Sequence, residues 1–360
     1  MTWEQKSLDE IGFIGRGKSR HRPRNAEHLY GGEYPFIQTG DIKAANFRIT
    51  AFSQTYNEAG LLQSKLWKEG TLCITIAANI ADTAILGMDA CFPDSVIGFV
   101  ADENKSDVRF VKYFFDIFQA RMKSISTGAA QDNLSLEKLL TFKIPTPPLP
   151  TQRRIASILS AYDDLIENNL TRIKLLEEKA FLDYKCINRD SHDVKAEKKK
   201  LKDVLDLKYG KALKADNRTI GKYPVFGSSG IVGSHESYLV DGPGIVVGRK
   251  GNVGSVFWSF DNFWVIDTAY YVESKIGLYY LYFNLKEQHF VNTDAAVPGL
   301  NRNFALDNPI ILPPINEITL FENSIKSVFQ LMQNLHKQNT KLREARDILL
   351  PKLMSGEIEV

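Results

Sequence analysis

The chain has 360 residues, more than one comfortable core holds, since domains usually run to about 100–200 residues; two domains are expected. Hydrophobic residues at 44% and charged residues at 24% exclude wholesale disorder, and a formal net charge of +2 argues against a polycation that coats nucleic acid indiscriminately. No apolar run reaches the roughly 18 residues of a membrane span, and the opening residues do not read as a signal peptide, so a soluble, cytoplasmic protein with no membrane partner is expected. Cys73, Cys91 and Cys186 form no CxxC pair, and the scattered histidines show no metal-ligand spacing, so neither a disulfide framework nor a bound metal is expected.

In chain order, the first landmark is Leu8-Asp9-Glu10-Ile11 followed by Gly17-Lys18-Ser19. It returns as Leu201-Lys202-Asp203-Val204 followed by Gly210-Lys211-Ala212, 193 positions later. Tyr34-Pro35-Phe36 returns as Tyr223-Pro224-Val225 at 189, and Asp94-Ser95 as Asp267-Thr268 at 173. Ala129-Ala130 with Leu134, and Pro147-Pro148, return as Ala295-Ala296 with Leu300, and Pro313-Pro314, at 166. The common order and the steadily shrinking offset describe one unit used twice, the second copy having lost loop residues.

Within each copy a strand-like run (71–76; 244–247) precedes the Asp-Ser/Thr strand, a helix follows (108–121; 278–289), and prolines at 145–150 and 309–314 lead into a long helical segment. The first long segment carries a 3-4 seam of Ile155, Leu159, Tyr162, Ile166, Asn169, Ile173, Leu176 and Ala180. The second carries Phe321, Ile325, Val328, Met332, Leu335, Asn339, Leu342, Arg346 and Leu349. Two seams of similar length favour pairing with each other, antiparallel because a whole domain separates them, with the two asparagines fixing register. Residues 188–200 lack apolar periodicity and read as a solvated linker. The expected fold class is therefore α+β: two tandem mixed α/β domains (1–149 and 201–313), separated and followed by long helices (150–187 and 314–360) that form an antiparallel coiled coil.

Three stretches imitate catalytic motifs. Residues 12–19 fit the phosphate-loop pattern letter for letter, but too few apolar residues precede them for a central strand, and Arg20 to Arg24 suit a basic surface loop. Pro93-Asp94 with Glu103-Asn104-Lys105 imitates a metal-dependent nuclease, although a strand end before a charged helix start explains it equally. The Pro-Pro pairs lack the acid or amide before and the aromatic after that a base-flipping methyltransferase turn requires. No chemistry of the chain's own is expected, and no cofactor bound by it.

Several of these landmarks carry a resemblance. Gly15-Arg16-Gly17-Lys18-Ser19, Tyr34 to Ile42, Val247 to Gly254 and Asp267-Thr268-Ala269-Tyr270 resemble the specificity (S) subunit of Type I restriction–modification systems. So do Pro147 to Ala156, with Gln152-Arg153-Arg154 opening the first long helix, and the C-terminal Leu349 to Ile358. Copy two departs where Pro314-Ile315-Asn316-Glu317-Ile318 lacks the Gln-Arg-Arg run. The resemblance implies a non-catalytic subunit with two target-recognition domains, each reading one half of a split, asymmetric target in double-stranded DNA. The helices would set the spacing and dock two methyltransferase (M) subunits carrying S-adenosylmethionine, with restriction (R) subunits supplying ATP- and Mg-dependent cleavage. A helix over 150–185 would span about 54 Å, enough to separate half-sites one DNA turn, about 34–36 Å, apart.

Candidate phosphate contacts are Arg16, Lys18, Arg20, Arg22 and Arg24, and in copy two Lys208, Lys211 and Lys214, with Arg249 and Lys250 between glycines. Candidate base readers are Gln38, Gln131, Asn133, Asn252, Asn301 and Arg302; Lys43 is a further candidate for DNA contact. Two other classes stay open: a coiled-coil scaffold without DNA binding, and a stand-alone nuclease or methyltransferase.

Overall fold

A computed structural model describes residues 3–76, 81–125, 135–190, 196–291 and 299–360. Gln131 and Asn133, together with the landmarks at 129–130, 134 and 295–296, lie outside the described residues. Contacts divide the chain into two compact units, Met1–Leu170 with Lys337–Val360, and Thr171–His336.

The first unit is built on a five-stranded sheet in the order Gly12–Arg16, Val96–Ala101, Leu72–Thr75, Thr83–Leu86, Arg48–Ile49. Its central strands are apolar on both faces because both faces are covered: Leu72, Ile74, Ile97 and Phe99 pack with helix Val108–Ile125, while Cys73, Leu86 and Val96 pack with Trp67 and Phe92. A second, four-stranded sheet holds Gln54–Tyr56, Tyr30–Phe36, Ala90–Cys91 and Leu66–Trp67. The last turns of the C-terminal helix, through Leu350, Leu353 and Met354, complete the main core of this unit.

The second unit repeats the plan with a sheet of Leu205–Tyr209, Ala269–Ser274, Gly244–Gly248 and Val256–Ser259, and a smaller one of Gly230–His235, Tyr223–Gly227 and Trp264–Val265. The registers coincide. Arg16 pairs with Ile97, and Tyr209 with Tyr270, so the partners stand 193 and 173 positions further on. Ile74 pairs with Ile97, and Val247 with Tyr270. Even the parallel contact of Phe36 with Cys91 has its counterpart in Val225 with Trp264. The offsets read from the sequence are thus the offsets of strand pairing.

The same repeat corrects the linker. The central helix runs over Leu149–Asp190, and Glu197–Lys200 is a strand antiparallel to Pro309–Leu312, as Glu4–Lys6 is to Ile144–Thr146. All four residues of Glu197–Lys200 are solvent-exposed, so no apolar alternation marks them; backbone pairing alone makes the strand, and the partner's Ile310 and Leu312 supply the buried side.

The C-terminal helix covers Ile315–Ser355 and starts 166 positions after the central one, although it lacks the Gln-Arg-Arg run. In the first unit buried Gln152 clamps the helix start: its Oε1 accepts from Asp107 N at 3.1 Å, and its Nε2 donates to Lys105 O and Pro147 O. Ile318, 166 positions on, is buried in the core of the second unit, and Glu322 one turn later accepts from Tyr280 N at 2.8 Å. A different clamp thus fixes the same helix start.

Both units contain antiparallel helix pairing. Asn169 meets Asn339 and Asp163 meets Arg346 in the first; Ile173 clusters with Met332 and Leu335, and Tyr184 lies beside Phe321, in the second. Ile155, Leu159, Ile166, Phe321 and Ile325 are buried, whereas Tyr162, Leu176, Val328 and Leu342 are half-buried. The seam also widens beyond its 3-4 positions. Phe329 is buried against Trp258 and Tyr279, because there the helix faces the domain core as well as its partner helix.

Candidate nucleic-acid interface

Strand Gly12–Arg16 ends in an exposed arginine, so Arg16 belongs to a sheet rather than to the loop read from the sequence. Gly17 N then donates to Val96 O, and Lys18 N to Phe92 O, each at 2.9 Å. The second copy makes the same pair of bonds, Gly210 N to Ala269 O and Lys211 N to Val265 O. A Cβ on Gly17 would lie 2.3 Å from Pro93 O, and one on Gly210 2.1 Å from Ile266 O. The Gly-Lys pair is therefore a clasp between neighbouring backbones, which is what requires glycine there, and the imitation of a phosphate loop ends at that point.

Beyond the clasp, Gln63 Oε1 accepts from Arg20 N at 2.6 Å and His21 N at 3.0 Å, and Ser64 Oγ donates to Lys18 O. Arg24 Nη2 donates to both carboxylate oxygens of Asp94 at 2.7 and 2.9 Å; Arg22 lies 3.8 Å from the same carboxylate and donates to Ser19 O and His21 O. Two of the five predicted phosphate contacts thus brace the loop, and Asp94 of the nuclease look-alike is their anchor. Arg16, Lys18 and Arg20 make no ion pair among the described residues.

Gln38 heads helix Thr39–Ala44 and donates through Nε2 to Gln54, while Lys43 is exposed on that helix. Sequence reasoning passed over Lys65, whose ammonium lies 3.6 Å from the Trp67 ring centroid and 4.6 Å from that of Phe13; burial lowers its pKa.

In the second unit, Lys208 bridges Asp206 and Glu273 at 3.1 and 3.4 Å, whereas Lys211 and Lys214 are exposed. Asn252 sits on an exposed turn between Gly251 and Gly254, both at positive φ. Asn301 caps helix Arg302–Leu306, its side chain accepting from Asn303 N and Phe304 N. Arg302 pairs with Asp206 and donates to Leu207 O, so a predicted base reader is committed to its own sheet. Partial burial opposes ionisation of Asp206, yet Lys208 and Arg302 hold its carboxyl below the ordinary value.

Arg249 is placed differently. Its guanidinium carbon lies 5.0 Å from the Tyr209 ring centroid and 5.9 Å from that of Tyr270, and Nη1 donates to Asp267 O at 3.0 Å. Tyr270 Oη donates to Leu300 O, and burial beside Tyr209 pushes its pKa up to about 12. Tyr209, absent from the sequence prediction, is the repeat partner of Arg16; aligning the copies at 193 would have exposed the exchange.

Residues 1–178 and 193–346 each match the family described as Type I restriction modification DNA specificity domain. The chain belongs to that family. Among its relatives is the Type I restriction enzyme MjaIX specificity subunit of Methanocaldococcus jannaschii, 24% identical over 413 residues that cover 99% of this chain and 94% of that protein. The EcoR124I/EcoR124II specificity subunit of Escherichia coli is 28% identical over 182 residues, 47% of this chain and 42% of that one. The crystal structure of the M. genitalium Type I restriction–modification S subunit shares the fold, with a TM-score of 0.57 at 17% identity over 98% of this chain and 96% of that one. The module occurs twice in this chain, and the two matched segments hold the equivalent strands and clasps described above. No helix among the described residues is long and apolar enough to cross a membrane.

Proposed function

We propose that this chain is the sequence-reading subunit of a Type I restriction–modification complex, each domain reading one half of a bipartite, asymmetric target in double-stranded DNA. The supporting observation is one framework carrying different side chains at the same stations. Where the first domain has Arg16, Ile76 and Ile97, the second has Tyr209, Arg249 and Tyr270. A shared scaffold suits two readers held alike on a duplex, and exchanged side chains suit two different half-sequences. Arg16, Lys18, Arg20, Lys211, Lys214 and Lys250 supply sequence-independent phosphate contacts in this reading, and Gln38 and Asn252 contribute base contacts.

The long helices space the two halves and dock two methyltransferase subunits. Those subunits hold S-adenosylmethionine, and restriction subunits contribute ATP- and Mg-dependent cleavage; this chain contributes recognition without catalysis, in the cytoplasm. Methylome sequencing of host cells with and without the gene tests the proposal: a split methylated motif should vanish with the chain. Methylation unaffected by its loss, or DNA modification by the purified chain alone, would reject it.

A further inference from the structure

The second domain contains a cavity of about 500 Å³ whose lining includes Tyr209, Arg249, Lys250, Tyr270, Asn301 and Asn303. We propose that this cavity receives the major-groove edge of a guanine, with Arg249 as the reading group. The inference rests on the DNA-reading function above and goes further by naming the base, the residue and the domain.

Guanine O6 and N7 and a phosphate's oxygens are both acceptor pairs that fit a guanidinium fork, so the surroundings must decide between them. Arg249 is held before any ligand arrives. Two mutually packed tyrosine rings lie beside its guanidinium, Nη1 is engaged by Asp267 O, its backbone N donates to Thr268 O, and its carbonyl accepts from Leu300 N. A side chain fixed in this way loses little further freedom on binding and presents its remaining N–H groups in one geometry, which suits discrimination between bases. A sequence-independent phosphate contact does not require that fixation, and the adjacent exposed Lys250 already offers a charge for it. The Tyr209 ring, 56% exposed, adds an apolar surface beside the fork, which a base can cover and a phosphate cannot. Arg302, the other arginine lining the cavity, is tied to Asp206 and Leu207 and does not compete for the role. Ile76 and Ile97 occupy the equivalent stations of the first domain, so this chemistry belongs to one half of the target only.

The test uses the assembled methyltransferase complex and duplexes carrying its methylated motif, with 7-deazaguanine placed at each guanine in turn. The unaltered complex should lose about tenfold in affinity at one guanine, in one half, since that substitution removes N7 alone. Arg249→Lys should bind the unmodified duplex about tenfold more weakly and respond less than twofold to the same substitution. If no guanine shows the effect in the unaltered complex, the assignment is wrong whether or not the variant folds. If Arg249→Ala, which removes the charge that Arg249→Lys keeps, weakens binding equally for specific and random DNA and lowers the salt slope by about one, Arg249 is a phosphate contact instead. A complex that prefers no split sequence over random DNA overturns the functional reading itself, a result distinct from either of these.

Discussion

Asn169 donates through Nδ2 to Asn339 Oδ1 at 2.9 Å, and both amides are buried, 6% and 1% exposed. Asn339 Nδ2 in turn reaches Ile166 O at 3.4 Å. Replacing one amide leaves its partner desolvated without a bond, so Asn169→Leu or Asn339→Leu should each cost about 1–3 kcal/mol. With both replaced, no orphaned amide remains, and most of that loss should be recovered. A double-mutant cycle in urea measures the coupling; additive losses would mean that the two amides do not depend on each other.

Asp163 lies one helical stretch away and is 1% exposed. Arg346 ion-pairs with it and Tyr113 Oη donates to it at 2.5 Å. Burial, reinforced by the neighbouring carboxylate, pushes the Tyr113 hydroxyl far above its ordinary pKa, so it remains a donor throughout the working range. Arg346→Met strands a carboxylate in the core and should destabilise the protein by about 3 kcal/mol. Adding Asp163→Asn should restore at least half of that, because the neutral amide still accepts from Tyr113. Unfolding midpoints of the two variants decide it, and equal midpoints would show that Asp163 is not the source of the cost.

These two contacts mark how far the sequence could be read. The 3-4 spacing placed both asparagines on seams, and the repeat set the strand register through offsets of 193 and 173. Side-chain partnerships between distant positions left no such trace. Nothing in the spacing shows that Arg302 is engaged by Asp206, that Arg24 is engaged by Asp94, or that Arg249 packs on a tyrosine 40 residues earlier. Strand Glu197–Lys200 was legible and overlooked. The repeat sets it opposite Glu4–Lys6, but its uniform charge resembles a linker when taken alone.

A pH signature follows from the short helix Leu8–Ile11. Glu10 accepts from Ser7 N at 2.6 Å and Ser7 Oγ at 2.7 Å and pairs with Lys143, and these contacts lower its pKa to about 2. A depressed carboxylate contributes stability above its unfolded pKa of about 4.5 and loses it as pH falls through the folded value. Wild type should therefore melt higher than Glu10→Gln near pH 7, with the gap closing between about pH 4.5 and 2. A gap that is constant across this window would place the effect elsewhere.

The basic loop separates into two kinds of arginine. Arg20 makes no ion pair among the described residues, whereas Arg24 is bound to Asp94. Arg20→Ala should weaken binding of the complex to all DNA sequences alike and reduce the salt slope by about one, leaving thermal stability within about 0.5 kcal/mol. Arg24→Ala should lower DNA affinity only through loop placement, so Asp94→Asn should reproduce its effect despite removing a negative charge. Filter or polarisation titrations at several salt concentrations separate the two. If Asp94→Asn strengthens binding, net charge rather than loop geometry governs this site.

The proposed spacer role of the helices makes a geometric demand that the pairing sharpens. A turn inserted into the central helix alone would slide Asn169 away from Asn339, confounding spacing with stability. One turn of four residues placed in both helices, after Leu170 and after His336, lies where each helix passes from one compact unit to the other and spares the paired layers within each. Four residues add about 6 Å of helix rise, against about 3.4 Å per base pair of DNA. The preferred gap should therefore lengthen by about one to two base pairs. The two half-sequences should stay as they are, since no strand end or loop of either domain is altered. Methylome sequencing of cells carrying the lengthened chain reads the gap and the halves together. An unchanged gap would show that the helices do not set the distance, and altered half-sequences would show that they take part in reading them.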